Sequence, residues 1–176
     1  MRKISVVTGK VKGNLSRVQN PQVYLMVMPR RWFFACSVMT DVDNIGVVNS
    51  IGSYAFQGTK VAFTSLHEGV ENVGEGAFKG CKYITSMNIP STMSNIPSRM
   101  FENTNLANIT FTDSNNITSI GTYAFRKTKL TSFRFPKAIE IISDNVFAEC
   151  ENLTSIELYK SKITRIDYKA FYNSSK

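Results

Sequence analysis

An isoleucine or valine followed five positions later by phenylalanine recurs six times in this chain, and that recurrence constrains the fold more than any local propensity does. The segments are Ile51 to Phe56, Val73 to Phe78, Ile96 to Phe101, Ile120 to Phe125, Ile142 to Phe147 and Ile166 to Phe171, and successive Phe residues stand 22, 23, 24, 22 and 24 apart. A period of this length marks a repeat architecture. Each unit is too small to bury its own apolar face, so a core exists only between stacked neighbours, and the sum becomes favourable from about three repeats upward.

Between the Phe markers runs a second element with apolar residues at offsets 0, 3 and 5: Ile84, Met87, Ile89; Leu106, Ile109, Phe111; Leu130, Phe133, Phe135; Leu153, Ile156, Leu158. Offsets 3 and 5 lie on one face of a strand, which turns offsets 2 and 4 the other way. A further apolar pair, three apart, follows each strand, as in Val70 with Val73 or Ile117 with Ile120. Prolines confirm the register. Pro21, Pro90 and Pro136 stand directly after the strand motif, where a missing N–H ends the ladder harmlessly, and Pro29 and Pro97 stand four before the Phe slot. Gly52, Gly74 and Gly121 share that second slot, which reads as a tight backbone turn.

The register extends toward the N-terminus. Phe33 lies 23 before Phe56, with Leu25 and Met28 at the matching offsets, and Leu15 with Val18 gives a weaker strand. The sequence therefore divides into a basic, irregular N-terminal segment, 1–14, and a solenoid, 15–176, of six to seven turns of 22–24 residues. Asn20, Asn44 and Thr64 depart from the apolar strand pattern.

These segments resemble the BspA-like class of leucine-rich repeats, which joins I-G-x-x-A-F-x-x-C to an L-x-x-[IL]-x-[IL] strand, and the resemblance covers about 160 residues. It implies a leucine-rich-repeat solenoid, α/β and mostly β, with one curved parallel sheet on the concave side. Turns and short helical segments would form the convex side. The resemblance also implies a cell-surface or secreted protein that binds host or matrix proteins through a non-enzymatic, adhesive surface.

Composition excludes little. Apolar residues make up 43% and charged residues 19% of the chain, ordinary for a soluble protein. The apolar stretch from Val23 is interrupted by Pro29, Arg30 and Arg31 and falls short of the roughly 20 residues of a membrane span. Met1 to Val7 lacks the apolar run of a signal peptide, which leaves a cytoplasmic location open. The net charge of +8 is concentrated in residues 1–38, where seven basic side chains meet no acid. A solvated basic terminus accounts for that asymmetry; nucleic acid or an anionic surface is the alternative partner.

Residues that suggest chemistry are absorbed by the register. Cys36, Cys81 and Cys150 each stand three after a slot Phe, where other copies carry Thr59, Thr104, Thr128 or Ser174, so a small buried side chain is expected there. Three strand spacings of about 4.8 Å separate Cys81 from Cys150 by roughly 14 Å, beyond bridging distance, so no disulfide is expected. With one histidine, His67, the chain suggests neither a zinc site nor a Cys–His nucleophile, and no metal, cofactor or catalytic residue is expected. The glycines of Val73 to Gly80 are turn residues like those of the sister segments, not a phosphate loop. Asn14, Asn108, Asn116, Asn152 and Asn173 lie in Asn-X-Ser/Thr triplets, which so Asn-, Ser- and Thr-rich a composition produces by chance.

The outward strand positions remain as the ligand surface. Offset 2 carries Arg17, Asp41, Phe63, Ser86, Asn108, Ser132 and Ser155; offset 4 carries Gln19, Asp43, Ser65, Asn88, Thr110, Arg134 and Glu157. Phe63 is the aromatic anchor and Arg134 a second. A scaffold reading competes with the binding one: the sequence stops five residues after Phe171 without a polar capping repeat, which suggests end-to-end packing on neighbours.

Overall fold

The protein is described by a computed structural model covering residues 6–7, 10–11, 26–28, 30–31, 48–113, 116–158, 160 and 162–174. It is a stack of coils, each delivering its apolar residues to one interior. Two parallel ladders run along the stack. The first, at the offset positions of the sequence motif, comprises β6 (Ser86–Ile89) paired with β8 (Asn108–Phe111), and β10 (Ser132–Arg134) paired with β12 (Ser155–Glu157), preceded by a single bridge from Ser65 to Asn88. The second lies at the aliphatic start of each Phe segment. There β3 (Met26–Met28), β4 (Val48–Ile51) and β5 (Asn72–Val73) form one sheet, β7 (Asn95–Ile96) pairs with β9 (Ser119–Ile120), and β11 (Ile141–Ile142) pairs with β13 (Arg165–Ile166). The concave sheet is thus present but segmented, with a narrow companion ladder beside it.

Pairing follows the repeat register: Met87 opposes Ile109, Phe133 opposes Ile156, and Ile96 opposes Ile120. Met28 opposes Ile51, so the register seen in the sequence continues into the basic end as far as the described residues reach. The segment 1–14, expected to be irregular, contains a two-residue antiparallel pair, β1 (Val6–Val7) with β2 (Lys10–Val11). Leu15, Val18 and Phe33 lie outside the described residues.

The interior is organised around the Phe slot. Phe56, Phe78, Phe101, Phe125, Phe147 and Phe171 stack one on the next with centroids 5.4–5.9 Å apart and planes within 12° of parallel. Ala55, Ala77, Met100, Ala124, Val146 and Ala170 precede them in the chain and are equally buried. Burying a Phe side chain contributes about 1.5–3 kcal/mol, so this column alone supplies a large part of the apolar driving force.

Where short helical segments were expected on the convex side, the described residues form consecutive turns and no helix. The physical reason is an alternating hydrogen-bond pattern. Ala55, Gln57 and Thr59 donate back three residues within their own coil, to Gly52, Tyr54 and Phe56. Tyr54, Phe56 and Gly58 donate instead to the carbonyls of Glu75, Ala77 and Lys79 in the next coil, each at 2.8 Å. A helix would turn all of these N–H groups inward along its own axis and leave the coils unjoined. Alternation requires left-handed backbone two residues before and two after each Phe: Tyr54, Gly76, Arg99, Tyr123, Asn145 and Lys169 in one column, Gly58, Gly80, Asn103, Lys127, Glu149 and Asn173 in the other.

The Gly and Pro slot has a different cause from the one its composition suggests. Gly74 and Gly121 have no left-handed φ; a Cβ on Gly74 would lie 2.3 Å from the Ser53 nitrogen, and one on Gly121 2.4 Å from the Ser98 nitrogen. Close approach of adjacent coils, not turn conformation, is what selects glycine there.

Candidate functional site

Alternation along the first ladder turns offsets 2 and 4 to solvent, as the sequence pattern predicts. In β8, Asn108 and Thr110 are exposed while Ile109 and Phe111 are half-buried; in β10, Ser132 and Arg134 are exposed around buried Phe133; in β12, Ser155 and Glu157 flank half-buried Ile156. Ser86 and Asn88 of β6 are half-buried between buried Met87 and Ile89. Strand register places Ser86 beside Asn108, Asn88 beside Thr110, Ser132 beside Ser155, and Arg134 beside Glu157. Arg17, Gln19, Asp41 and Asp43 lie outside the described residues.

Phe63 departs from its expected place. Its ring packs edge-on against Phe56 at 5.3 Å and Phe78 at 5.9 Å and is half-buried, while Thr64, in an apolar strand slot, is exposed. The strand irregularity foreshadowed by Thr64 swaps the two side chains between faces, because the gain from burying an aromatic ring exceeds that from burying a hydroxyl. By Ser65 the register is restored through the bridge to Asn88.

The face is held by neutral polar contacts at one end and by charge at the other. Thr110 Oγ1 donates to Asn88 Oδ1 and Asn88 Nδ2 donates to Thr112 Oγ1, both at 2.9 Å. Arg134 Nε meets Glu157 Oε2 at 2.7 Å, with 76% of the Arg134 side chain exposed; a pair this open contributes about 0–1 kcal/mol and can exchange its partner for a ligand group. Such a surface offers hydrogen bonds and one separable ion pair. The remaining chemical candidates are engaged elsewhere: His67 Nδ1 accepts the Gly69 N–H at 3.0 Å within its own turn. Cys81 and Cys150 are buried and free, and burial pushes the Cys81 thiol up to about 11 and the Cys150 thiol in the same direction. Each donates to a Phe carbonyl of the preceding coil at 2.9 Å, Cys81 to Phe56 and Cys150 to Phe125, while Thr59 and Thr104 cap the Phe carbonyl of their own coil. Cys36 lies outside the described residues.

One cluster escaped the reading of the sequence. On the convex side Glu102, with only 5% of its side chain exposed, is gripped by Lys79 at 2.8 Å, Arg99 at 3.0 Å and Arg126 at 3.1 Å. Burial pushes its carboxyl up, but hydrogen bonds from Lys79 and Arg99 more than offset this and hold it below the ordinary range. Arg126 continues to Glu149, and Tyr123 lies between the Arg99 and Arg126 guanidinium groups at 4.5 and 5.6 Å. The signal was present as the alternation Lys79, Glu102, Arg126 in the position after three successive slot Phe residues, Phe78, Phe101 and Phe125.

The family model for a BspA type leucine-rich repeat region matches residues 49–176 in six copies. Among solved structures, a leucine-rich repeat protein from Bacteroides ovatus is 21% identical with a TM-score of 0.61, covering 85% of this chain and 45% of its own. A leucine-rich cell surface protein from Faecalibacterium prausnitzii is 20% identical with a TM-score of 0.53, covering 79% and 50% respectively. The chain thus spans about half the length of these relatives in fold. No curated protein matches the sequence.

Proposed function

The chain belongs to the BspA type of leucine-rich repeat proteins, and from that premise we propose that it is a non-enzymatic protein-binding module of a cell-surface protein, with the concave strand face as its contact surface. The observation that carries the reading is the uncovered double column of Asn88, Asn108, Thr110, Ser132, Arg134, Ser155 and Glu157, held rigid by parallel pairing to a stacked core. Rigid polar columns keep ordering costs at the interface low. A surface location accords with the cell-surface description of the F. prausnitzii protein.

The test is surface plasmon resonance against a panel of matrix and serum proteins, with Ser132→Arg and Arg134→Glu as concave variants. A partner of this face loses about tenfold or more in affinity with either variant. Unchanged binding by both removes the face from consideration.

A further inference from the structure

Two and four residues after each Phe, the coils carry Gly58 and Lys60, Gly80 and Lys82, Asn103 and Asn105, Lys127 and Lys129, then Glu149 and Glu151. The columns are physical neighbours: Lys82 Nζ donates to Asn103 Oδ1 at 2.7 Å, Asn105 Nδ2 donates to the Lys82 carbonyl at 2.8 Å, and the Lys129 N–H donates to the Leu106 carbonyl at 2.9 Å. Lys82, Lys127 and Lys129 therefore converge across three coils with two amides between them. Desolvation, and then the fields of Lys129 and Lys127, make Lys82 easier to deprotonate.

These cations are poorly neutralised. Among the described residues only Lys127 has a carboxylate within ion-pair distance, Glu149 at 3.0 Å; Lys82 has the neutral Asn103, and Lys60 and Lys129 have none. Beside Lys82 stands Tyr83, 55% exposed, the described large apolar side chain that is exposed outside the last two Phe-bearing coils. A cation next to an exposed aromatic is the composition of interface anchors. The patch is also short. One coil further on, Glu149 and Glu151 occupy the same two columns, so a long uniform polyanion laid along the solenoid would meet like charge, whereas a segment a few residues long would not.

From this arrangement we infer that Lys82, Tyr83, Lys127 and Lys129 form a second contact surface, away from the concave face, for a short acidic segment of a protein partner. The inference rests on the chain being a binding module but not on the concave strands being its site. It is tested by fluorescence anisotropy with labelled hexaglutamate and hexaglutamine peptides, alongside a heparin oligosaccharide and a single-stranded oligonucleotide of matched charge. Hexaglutamate binds, hexaglutamine does not, and affinity falls with salt. The double variant Lys82→Gln, Lys129→Gln weakens hexaglutamate binding by about tenfold, Tyr83→Ser by about threefold, and the control Lys137→Gln, Lys162→Gln by less than about twofold. Thermal melts of all variants check that the fold is retained. Absence of hexaglutamate binding, equal losses in the control pair, or tighter binding of heparin or oligonucleotide overturns the inference. The concave variants Ser132→Arg and Arg134→Glu leave hexaglutamate binding unchanged, which keeps failure of this surface distinct from failure of the concave one.

Discussion

Gly121→Ala is the sharpest test of how the coils are joined. An added Cβ would lie 2.4 Å from the Ser98 nitrogen, 2.6 Å from Ser98 Oγ and 2.8 Å from Ser98 Cα. Two of these atoms are backbone, so no rotamer change relieves the overlap and the adjacent coils must part by about an ångström, an overpacking that costs about 1–3 kcal/mol. Parting strains the bond from the Gly121 N–H to the Ile96 carbonyl, now 2.8 Å, whose loss adds about 1 kcal/mol. Against this, alanine restricts the unfolded chain and returns about 0.4–1 kcal/mol. The net expectation is a loss of about 1–3 kcal/mol in urea unfolding followed by circular dichroism. Gly58→Ala separates the causes: it has open space but φ of +71°, so it costs only the left-handed penalty of about 1 kcal/mol. Ser143 occupies the Gly121 slot one coil on and already carries a Cβ, so Ser143→Ala forfeits only its hydrogen bond to the Ile120 carbonyl. If Gly121→Ala is as stable as the parent, close approach is not what selects glycine at this corner.

Phe101→Ala, stacked on both faces and fully buried, loses about 3–5 kcal/mol, whereas half-buried Phe171, stacked on one face, loses about 2 kcal/mol; equal losses in denaturant unfolding contradict a nearest-neighbour column. Glu102 is held below its ordinary pKa of 4.5, so its stabilising contribution is present above that value and disappears as the pH falls through the lower folded value. Chemical denaturation between pH 5 and pH 3 therefore shows a shallower decline for Glu102→Gln than for the parent, and parallel declines refute the role given to the three cations. Cys81 and Cys150, buried and poorly ionised, resist iodoacetamide in the folded protein and react after unfolding, as peptide mapping by mass spectrometry reads out; labelling of either at native conditions contradicts their placement.

The fold was legible because each column of the core has one chemistry. Every Phe slot is filled by Phe and, from Ile84 onward, the apolar strand positions by Leu, Ile, Met or Phe, and a mistake of one residue would expose a whole column, so the period and the register determine each other. The candidate site was legible only as an alternation. Offsets 2 and 4 point outward in β8, β10 and β12, yet Phe63, which looked like the best anchor on that face, is half-buried with its ring packed against the core. Its displacement depends on a local exchange with Thr64, and periodicity cannot resolve an exchange between adjacent residues. The charge cluster around Glu102 was missed for a related reason: Lys79 and Arg126 stand 23 and 24 residues from Glu102 and meet it only once the coils are stacked.

The left-handed columns mark where sequence reasoning runs out on physical grounds. Tyr54, Arg99, Tyr123, Asn145 and Lys169 share a left-handed backbone with Gly76 in one column, and Asn103, Lys127 and Glu149 share it with Gly80 in the other, though no property of these side chains requires it. Left-handed backbone costs a residue with a Cβ about 1–2 kcal/mol, which intrinsic propensity alone would avoid. The conformation persists because it aims the N–H of Tyr54, Gly76 and Arg99 in one column, of Gly58, Gly80, Asn103, Lys127 and Glu149 in the other, and of the Phe between the columns, at the next coil: Asn103 reaches the Arg126 carbonyl at 2.8 Å, Phe101 the Ala124 carbonyl at 2.9 Å, and Lys127 the Ala148 carbonyl at 3.0 Å. Buried donors left unpaired would cost about 1–3 kcal/mol each, so the strain is offset coil by coil through bonds that exist only in the stack. Because the backbone and not the side chain satisfies this requirement, the two columns accept Tyr, Arg, Asn, Lys or Glu alike. That freedom is what allows neighbouring positions to diverge into the Glu102 ladder in one place and the Lys82, Lys127 and Lys129 patch in another without disturbing the solenoid beneath them.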